Sequence, residues 1–166
     1  MHARWWLRGL VAVLVAVAGV AMGSAAQAVP GRPGGPALIV VTPPVIWAGT
    51  PTWLSAYWLT GDEICAARLT VSGPGIEVTY PDNTGTYSSF SRGSTLSPGE
   101  VDYTAFEIST GATTPRPVPL RLRLTYTLQR TGVSGGCEGP AGTLTTTVLV
   151  AALGTPGWPG RPAARG

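Results

Sequence analysis

The chain has no lysine, and its one histidine is the second residue. All eleven basic side chains are therefore arginines, set against eight acids. Without lysine there is no amine to form a Schiff base, and without histidine in the body of the chain the commonest general base and metal ligand are gone. Phenylalanine occurs only twice, so bulky aromatic packing falls to six tryptophans and five tyrosines. Two cysteines, Cys65 and Cys137, are too few and too isolated for a zinc set or a CxxC redox pair. No acidic loop has the D-x-D-x-D spacing that would mark a calcium site. The residues Asp62, Glu63, Glu77, Asp82 and Asn83 read instead as solvated turn positions. Past the N-terminal apolar run no segment shows a helical period, and none is long enough to span a membrane. These absences point away from an enzyme and call for no metal and no cofactor.

What is present begins with an export signal. Arg4 and Arg8 precede the uncharged run from Gly9 to Met22, and small residues then lead to Ala26, Gln27 and Ala28. A positive start, an apolar stretch shorter than the roughly 20 residues of a spanning helix and an A-x-A pattern predict a secretory signal over 1–28. An uncleaved anchor is the alternative. Cleavage after Ala28 leaves nine arginines against eight acids, so the basic pI of the whole chain is largely the targeting segment's. Charge gives no support for nucleic-acid binding. The product is expected outside the cell.

The clearest structural signal is the run from Pro117 to Leu128. Val118, Leu120, Leu122, Leu124, Tyr126 and Leu128 alternate with Pro119, Arg121, Arg123, Thr125 and Thr127. A period of two means a strand with one dry face, which a second layer must cover. Other strands are expected at Ala37–Thr42, ending an edge strand before Pro43, and at Thr52–Leu59, Cys65–Ser72, Ile76–Tyr80, Glu100–Ile108 and Thr143–Ala151. Gly73, Pro74 and Gly75 make a connection short enough for a hairpin between the third and fourth of the seven. The segment from Pro81 to Gly99 reads as a long loop or a weak edge strand near 86–91. About seven strands without helices predict an all-β, antiparallel immunoglobulin-like sandwich over 37–152. A Pro/Gly lead over 29–36 and a Pro/Gly tail over 153–166 flank it.

In an oxidising compartment an isolated cysteine pair predicts a structural disulfide, here Cys65–Cys137, stapling one end of the sandwich. Trp47, Trp53, Tyr57 and Trp58 form the densest aromatic cluster, with Trp53 and Tyr57 on one face of a strand and Trp58 on the other. Exposed, such rings would stack on sugars; buried, they would fill a core poor in phenylalanine. Arg121 and Arg123 stand on the wet face of the 117–128 strand. There they recognise an acidic glycan, keep the face soluble, or pair with an acid such as Glu107.

The stretch TPPVIWAGTPTWLSAYW (42–58), the SPGE turn before VDYTAFEI (97–108) and the alternating VPLRLRLTYTL (118–128) resemble bacterial extracytoplasmic immunoglobulin-like domains. That broad group includes fibronectin type III modules and the accessory sandwiches of cell-surface proteins and secreted glycosidases. The antibody pattern, a tyrosine two residues before the second cysteine, is not kept: Leu128 stands two residues after Tyr126. The resemblance implies a binding or structural module that meets an extracellular protein or a cell-envelope glycan. A carbohydrate-binding domain using the tryptophans is the main alternative, and an unrecognised hydrolase or inhibitor a more distant one.

Overall fold

The computed structural model describes residues 34–81, 85–111, 116–129 and 136–154. The signal segment, lead residues 29–33 and tail residues 155–166 lie outside them. The described chain forms eight strands, β1 (Pro36–Thr42), β2 (Val45–Trp47), β3 (Thr52–Thr60), β4 (Ile64–Ser72), β5 (Ile76–Thr79), β6 (Val101–Thr110), β7 (Arg116–Leu128) and β8 (Ala141–Leu153). They make two four-stranded sheets. Sheet A has the order β1-β3-β6-β5 and sheet B the order β2-β8-β7-β4. With β1, β3, β5 and β6 taken as strands A, B, D and E, and β4, β7 and β8 as C, F and G, this is the ABED/CFG arrangement of an immunoglobulin-like sandwich.

The alternation in β7 does what its pattern requires. Val118, Leu120, Leu122, Leu124 and Tyr126 are buried, and the strand lies inside sheet B between β4 and β8. Its ladder with β8 runs from Arg116 opposite Ala152 to Thr127 opposite Ala141. Pro117 and Pro119 lie past the point where β4 ends opposite Arg121, in the part of β7 with a neighbour on one side only. A residue without an N–H is tolerated there. From sheet A, Leu54, Ala56, Trp58, Phe106 and Ile108 close over the same core. The buried Trp58 indole donates its N–H to Thr104 Oγ1 at 3.0 Å, so its one polar atom is satisfied.

Three expectations need correction. The eighth strand, β2, lies in VIWAGTP (45–51), where Gly49 to Pro51 signal only a turn. It pairs in parallel with β8, Val45 to Ala151 and Trp47 to Leu153, so the chain changes sheets across Pro43–Pro44. Three residues are too few to show a period, which is why proline and glycine dominate the local reading.

Next, β4 and β5 do not form a hairpin, because they belong to different sheets. The free edge of β4 is already occupied. Leu69 exchanges backbone hydrogen bonds with Ser88, Ile64 with Leu96, and the Ala67 N–H reaches Ser94 O. Near Val71, the Tyr80 hydroxyl accepts the backbone N–H at 2.8 Å and stands where a pairing strand would. The 85–96 stretch also buries Phe90 and Leu96, so this connection, expected as a loop or weak edge strand, closes the gap between the sheets.

Third, strict alternation through Cys65–Ser72 would put Cys65 on one face with Ala67, Leu69 and Val71, and it does not share that face. Ile64 and Cys65 pair with Leu128 and Thr127, but Arg68 already pairs with Thr125, leaving Ala66 and Ala67 against one residue. Ala66 takes φ +52, and this bulge resets the alternation. Ile64 and Ala67 enter the core, and Cys65 goes to the outer side with Thr127. The bounds also shift slightly. Gly34, read as part of the lead, accepts the N–H groups of Gly61 and Asp62, and β8 continues to Leu153.

Candidate functional site

The disulfide Cys65–Cys137 is formed, with Cα atoms 5.8 Å apart. It ties the start of β4 to the connection between β7 and β8, on the outer side of sheet B rather than between the sheets. Among the described residues, no group of three or more His, Cys, Asp or Glu side chains gathers where a metal could sit. An open depression of about 480 Å³ lies between the Gly49–Pro51 turn and the β5–β6 edge, and among the described residues that line it Glu77 is the one carboxylate. Ser109 donates to that carboxylate at 3.5 Å. A lone acid beside a serine offers no acid/base pair for hydrolysis.

The aromatic cluster of the sequence is dispersed by the fold. Trp58 is 0% exposed, in the core. Trp53 is 49% exposed on the outer face of sheet A, and Trp47, 44% exposed, stands on β2 in sheet B. The parity of β3 decides the first two, because residues five apart point to opposite faces of a strand. Of the two readings of these rings, core filling holds for Trp58 and not for Trp53. No two of these three tryptophans share a surface.

Trp53 and Tyr57 share the outer face of sheet A, as the parity of their strand predicts, and beside them the fold gathers side chains that the cluster did not include. Tyr57 stands opposite Tyr103, with ring centroids 5.6 Å apart and planes tilted by 41°. Val40 lies on the other side of Tyr57, and Leu59 is opposite Val101 in the next row. Val40, Leu59, Val101 and Tyr103 are all exposed. The inner face of the same strands is already complete without them. The signal for Tyr103 was available in VDYTAFEI, where it has the opposite parity to Phe106. The signal for β1 was not, because a bulge between Leu38 and Val40 breaks its alternation.

At the far end of this surface Asp102 is buried and points inward. Ser91 Oγ and the backbone N–H groups of Arg92 and Tyr103 donate to its carboxylate, fastening the 88–93 segment to β6. Its role there is structural.

Arg121 and Arg123 are exposed on the outer face of sheet B, as the alternation predicts. Their cross-strand neighbours are Ser72 and Thr147, and Thr70 and Thr145. Glu107, considered as a partner, is on β6 in the other sheet, so that pairing is ruled out by sheet assignment. A third arginine, Arg68, joins the same face, with its guanidinium 4.9 Å from the centroid of the Tyr87 ring. The one ion pair among the described residues, Arg92 with Glu100 at 3.9 Å, is elsewhere and exposed.

No protein-family model matches the chain, and no curated protein matches it. Among solved structures it is similar to the GAE domain of yeast GGA1, at 11% identity and a TM-score of 0.48 over 75% of this chain and 96% of that one. It is also similar to the GAE domain of GGA2p from Saccharomyces cerevisiae, at 7% identity and a TM-score of 0.47 over 75% and 96%. A third similar structure is AvmM, which catalyses macrocyclization in alchivemycin A biosynthesis, at 10% identity and a TM-score of 0.40 over 76% and 91%. These likenesses are distant, and nothing of those proteins' activities passes to this chain. The fold assignment rests on its own strand order, that of an immunoglobulin-like sandwich.

Proposed function

We propose that this protein is an exported, non-enzymatic immunoglobulin-like module that binds a protein partner outside the cell through the outer face of sheet A. The observation that carries the reading is the exposed apolar surface of Trp53, Tyr57, Tyr103, Leu59, Val101 and Val40, on strands whose other face already forms the core. Rigid aromatic rings on a sheet lose little entropy on binding, and such residues are enriched where interfaces gain most of their energy. Exposed apolar side chains gathered on one sheet face mark interaction sites, here in two parts, the Tyr57–Tyr103 end and Trp53, which stands beside Glu107 one Ser55–Ala105 row away. Export is supported by the signal pattern of 1–28 and by a disulfide suited to an oxidising compartment. Bacterial extracytoplasmic immunoglobulin-like domains are the group whose motifs the sequence resembles. The chemistry argues for binding rather than catalysis, since residues 29–166 hold neither histidine nor lysine.

A protein partner is preferred to a glycan because the face mixes one tryptophan with aliphatic side chains, whereas a sugar platform needs several coplanar rings and a supply of polar groups. The full chain, expressed with its own leader and carrying a photo-crosslinking residue at position 103, tests this on intact producing cells. The expected result is one dominant protein adduct that Trp53→Ala abolishes and Trp47→Ala, on the other sheet, retains. Tryptophan fluorescence that shifts saturably with insoluble polysaccharide, and no longer does so in Trp53→Ala, would replace the protein by a carbohydrate. Absence of both signals would overturn the reading.

A further inference from the structure

The outer face of sheet B has a charge pattern that the fold does not need. Arg121, Arg123 and Arg68 are exposed there, and among the described residues none of their cross-strand neighbours is an acid. Every other outward position of β4 beyond the bulge, of β7 and of β8 is threonine, serine, proline, alanine or leucine. Most acids of the described chain lie elsewhere, and Glu138, next to Cys137, is at the disulfide end of this face. Glu77, Glu100, Asp102 and Glu107 belong to β5, β6 and the turn before β6, and Asp62 and Glu63 are in the β3–β4 turn. Exposed charges about 7 Å apart repel one another only weakly in water, and together they give this face a positive potential that an anion would meet.

Their spacing is regular. Arg121 and Arg123 are two residues apart on β7, which is about 7 Å along the strand. Arg68 stands opposite Thr125 and is therefore diagonal to Arg123, a step of about 7–8 Å. The three positions thus form a slanting line with nearly equal steps. Arg68 is additionally held in place by the Tyr87 ring beneath it. The hydroxyls of Thr145 and Thr147 flank the other two.

We propose that this row binds an anionic polymer of three-carbon polyol units joined by phosphodiesters, taking one phosphate per arginine. Such a chain has six backbone bonds from one phosphorus to the next. An extended peptide advances roughly 3.4 Å for three bonds, so six bonds reach about 7 Å, which matches the arginine step. The planar guanidinium presents a fork that fits two phosphate oxygens, and arginine is favoured over lysine for that geometry. The two faces of the sandwich then have separate tasks, with sheet B holding the module on an envelope polymer and sheet A left open.

The test uses the full chain and synthetic poly(glycerol phosphate). Three phosphate contacts on a flexible strand predict a log–log salt slope of about −2, so the affinity falls roughly 20-fold between about 50 and 200 mM NaCl. Arg121→Gln or Arg123→Gln lowers that dependence to roughly 7-fold, one contact having been removed. Arg68→Gln does the same, and Trp53→Ala leaves polymer binding unchanged, which separates this result from the sheet A reading. No saturable binding at about 50 mM NaCl overturns the proposal. Equal binding of single-stranded DNA or polygalacturonate, or a salt slope insensitive to the three arginines, overturns it as well.

Discussion

Replacing Cys65 and Cys137 together by alanine removes a link that closes a loop of 72 residues. Freed from that constraint, the unfolded chain gains conformational entropy, and the loop-closure relation gives about 4.4 kcal/mol at 25 °C. The folded state changes little by comparison. Cys65 is buried beneath the disulfide but lies outside the core cluster of Ile64, Leu69 and Leu124, so alanine there opens little space in that core, and the β4–β7 ladder still holds its position opposite Thr127. For a domain of this size each kcal/mol is worth about 4 °C, which predicts a fall in Tm of about 18 °C. Calorimetry on the oxidised protein, the reduced protein and the double alanine variant measures it. The last two should melt together. A fall smaller than about 5 °C, or a reduced protein that melts well away from the variant, would show that the bond does not stabilise by restricting the unfolded chain.

The remaining predictions concern packing. Gly142 faces Tyr126 across the β7–β8 ladder, and a β-carbon there would come within 2.3 Å of the tyrosine ring. Gly142→Ala should cost about 1–3 kcal/mol by overpacking, read from the urea midpoint, and combining it with Tyr126→Leu should return part of that loss. Trp58→Phe leaves Thr104 without its indole donor and opens space in the core, for a loss of about 1–3 kcal/mol. Trp53→Ala, on the exposed face, should stay within about 0.5 kcal/mol of the parent, and acrylamide should quench Trp53 but not Trp58.

The parts of the fold that could be read from sequence are those where one physical rule acts alone. β7 separates a dry face from a wet one over thirteen residues, and both its burial and its arginines follow from parity. Trp53 and Trp58 had to point in opposite directions for the same reason. Which of them pointed inward was not legible, because both faces of β3 carry bulk and burial is decided by the other sheet. The β4–β5 connection failed similarly: a short Gly-Pro-Gly link fits a hairpin or a crossing between sheets, and the choice was made by the distant 85–96 segment occupying the β4 edge. Cys65 was placed on the wrong face because an alanine, with no sequence mark of a left-handed residue, carries the bulge. The candidate surface on sheet A draws on three strands, so only the register brings Val40, Tyr57 and Tyr103 into one row.

The parallel pairing of β2 with β8 bears on how the domain is made. Val45 finds its partner at Ala151, nearly the whole length of the domain later, and Trp47 is held by Leu153 in the last strand. Contacts so distant along the chain form slowly, since the intervening loop must be closed first. A chain emerging from its N-terminus can therefore pair β1 with β3, and later β3 with β6, but sheet B lacks β8 until the final strand is released. The sandwich is closed by its two ends meeting. Every partly emerged chain leaves the inner face of β7 without the side chains of β8 beside it, so completion of the domain is a single late event set by the arrival of residues 141–153.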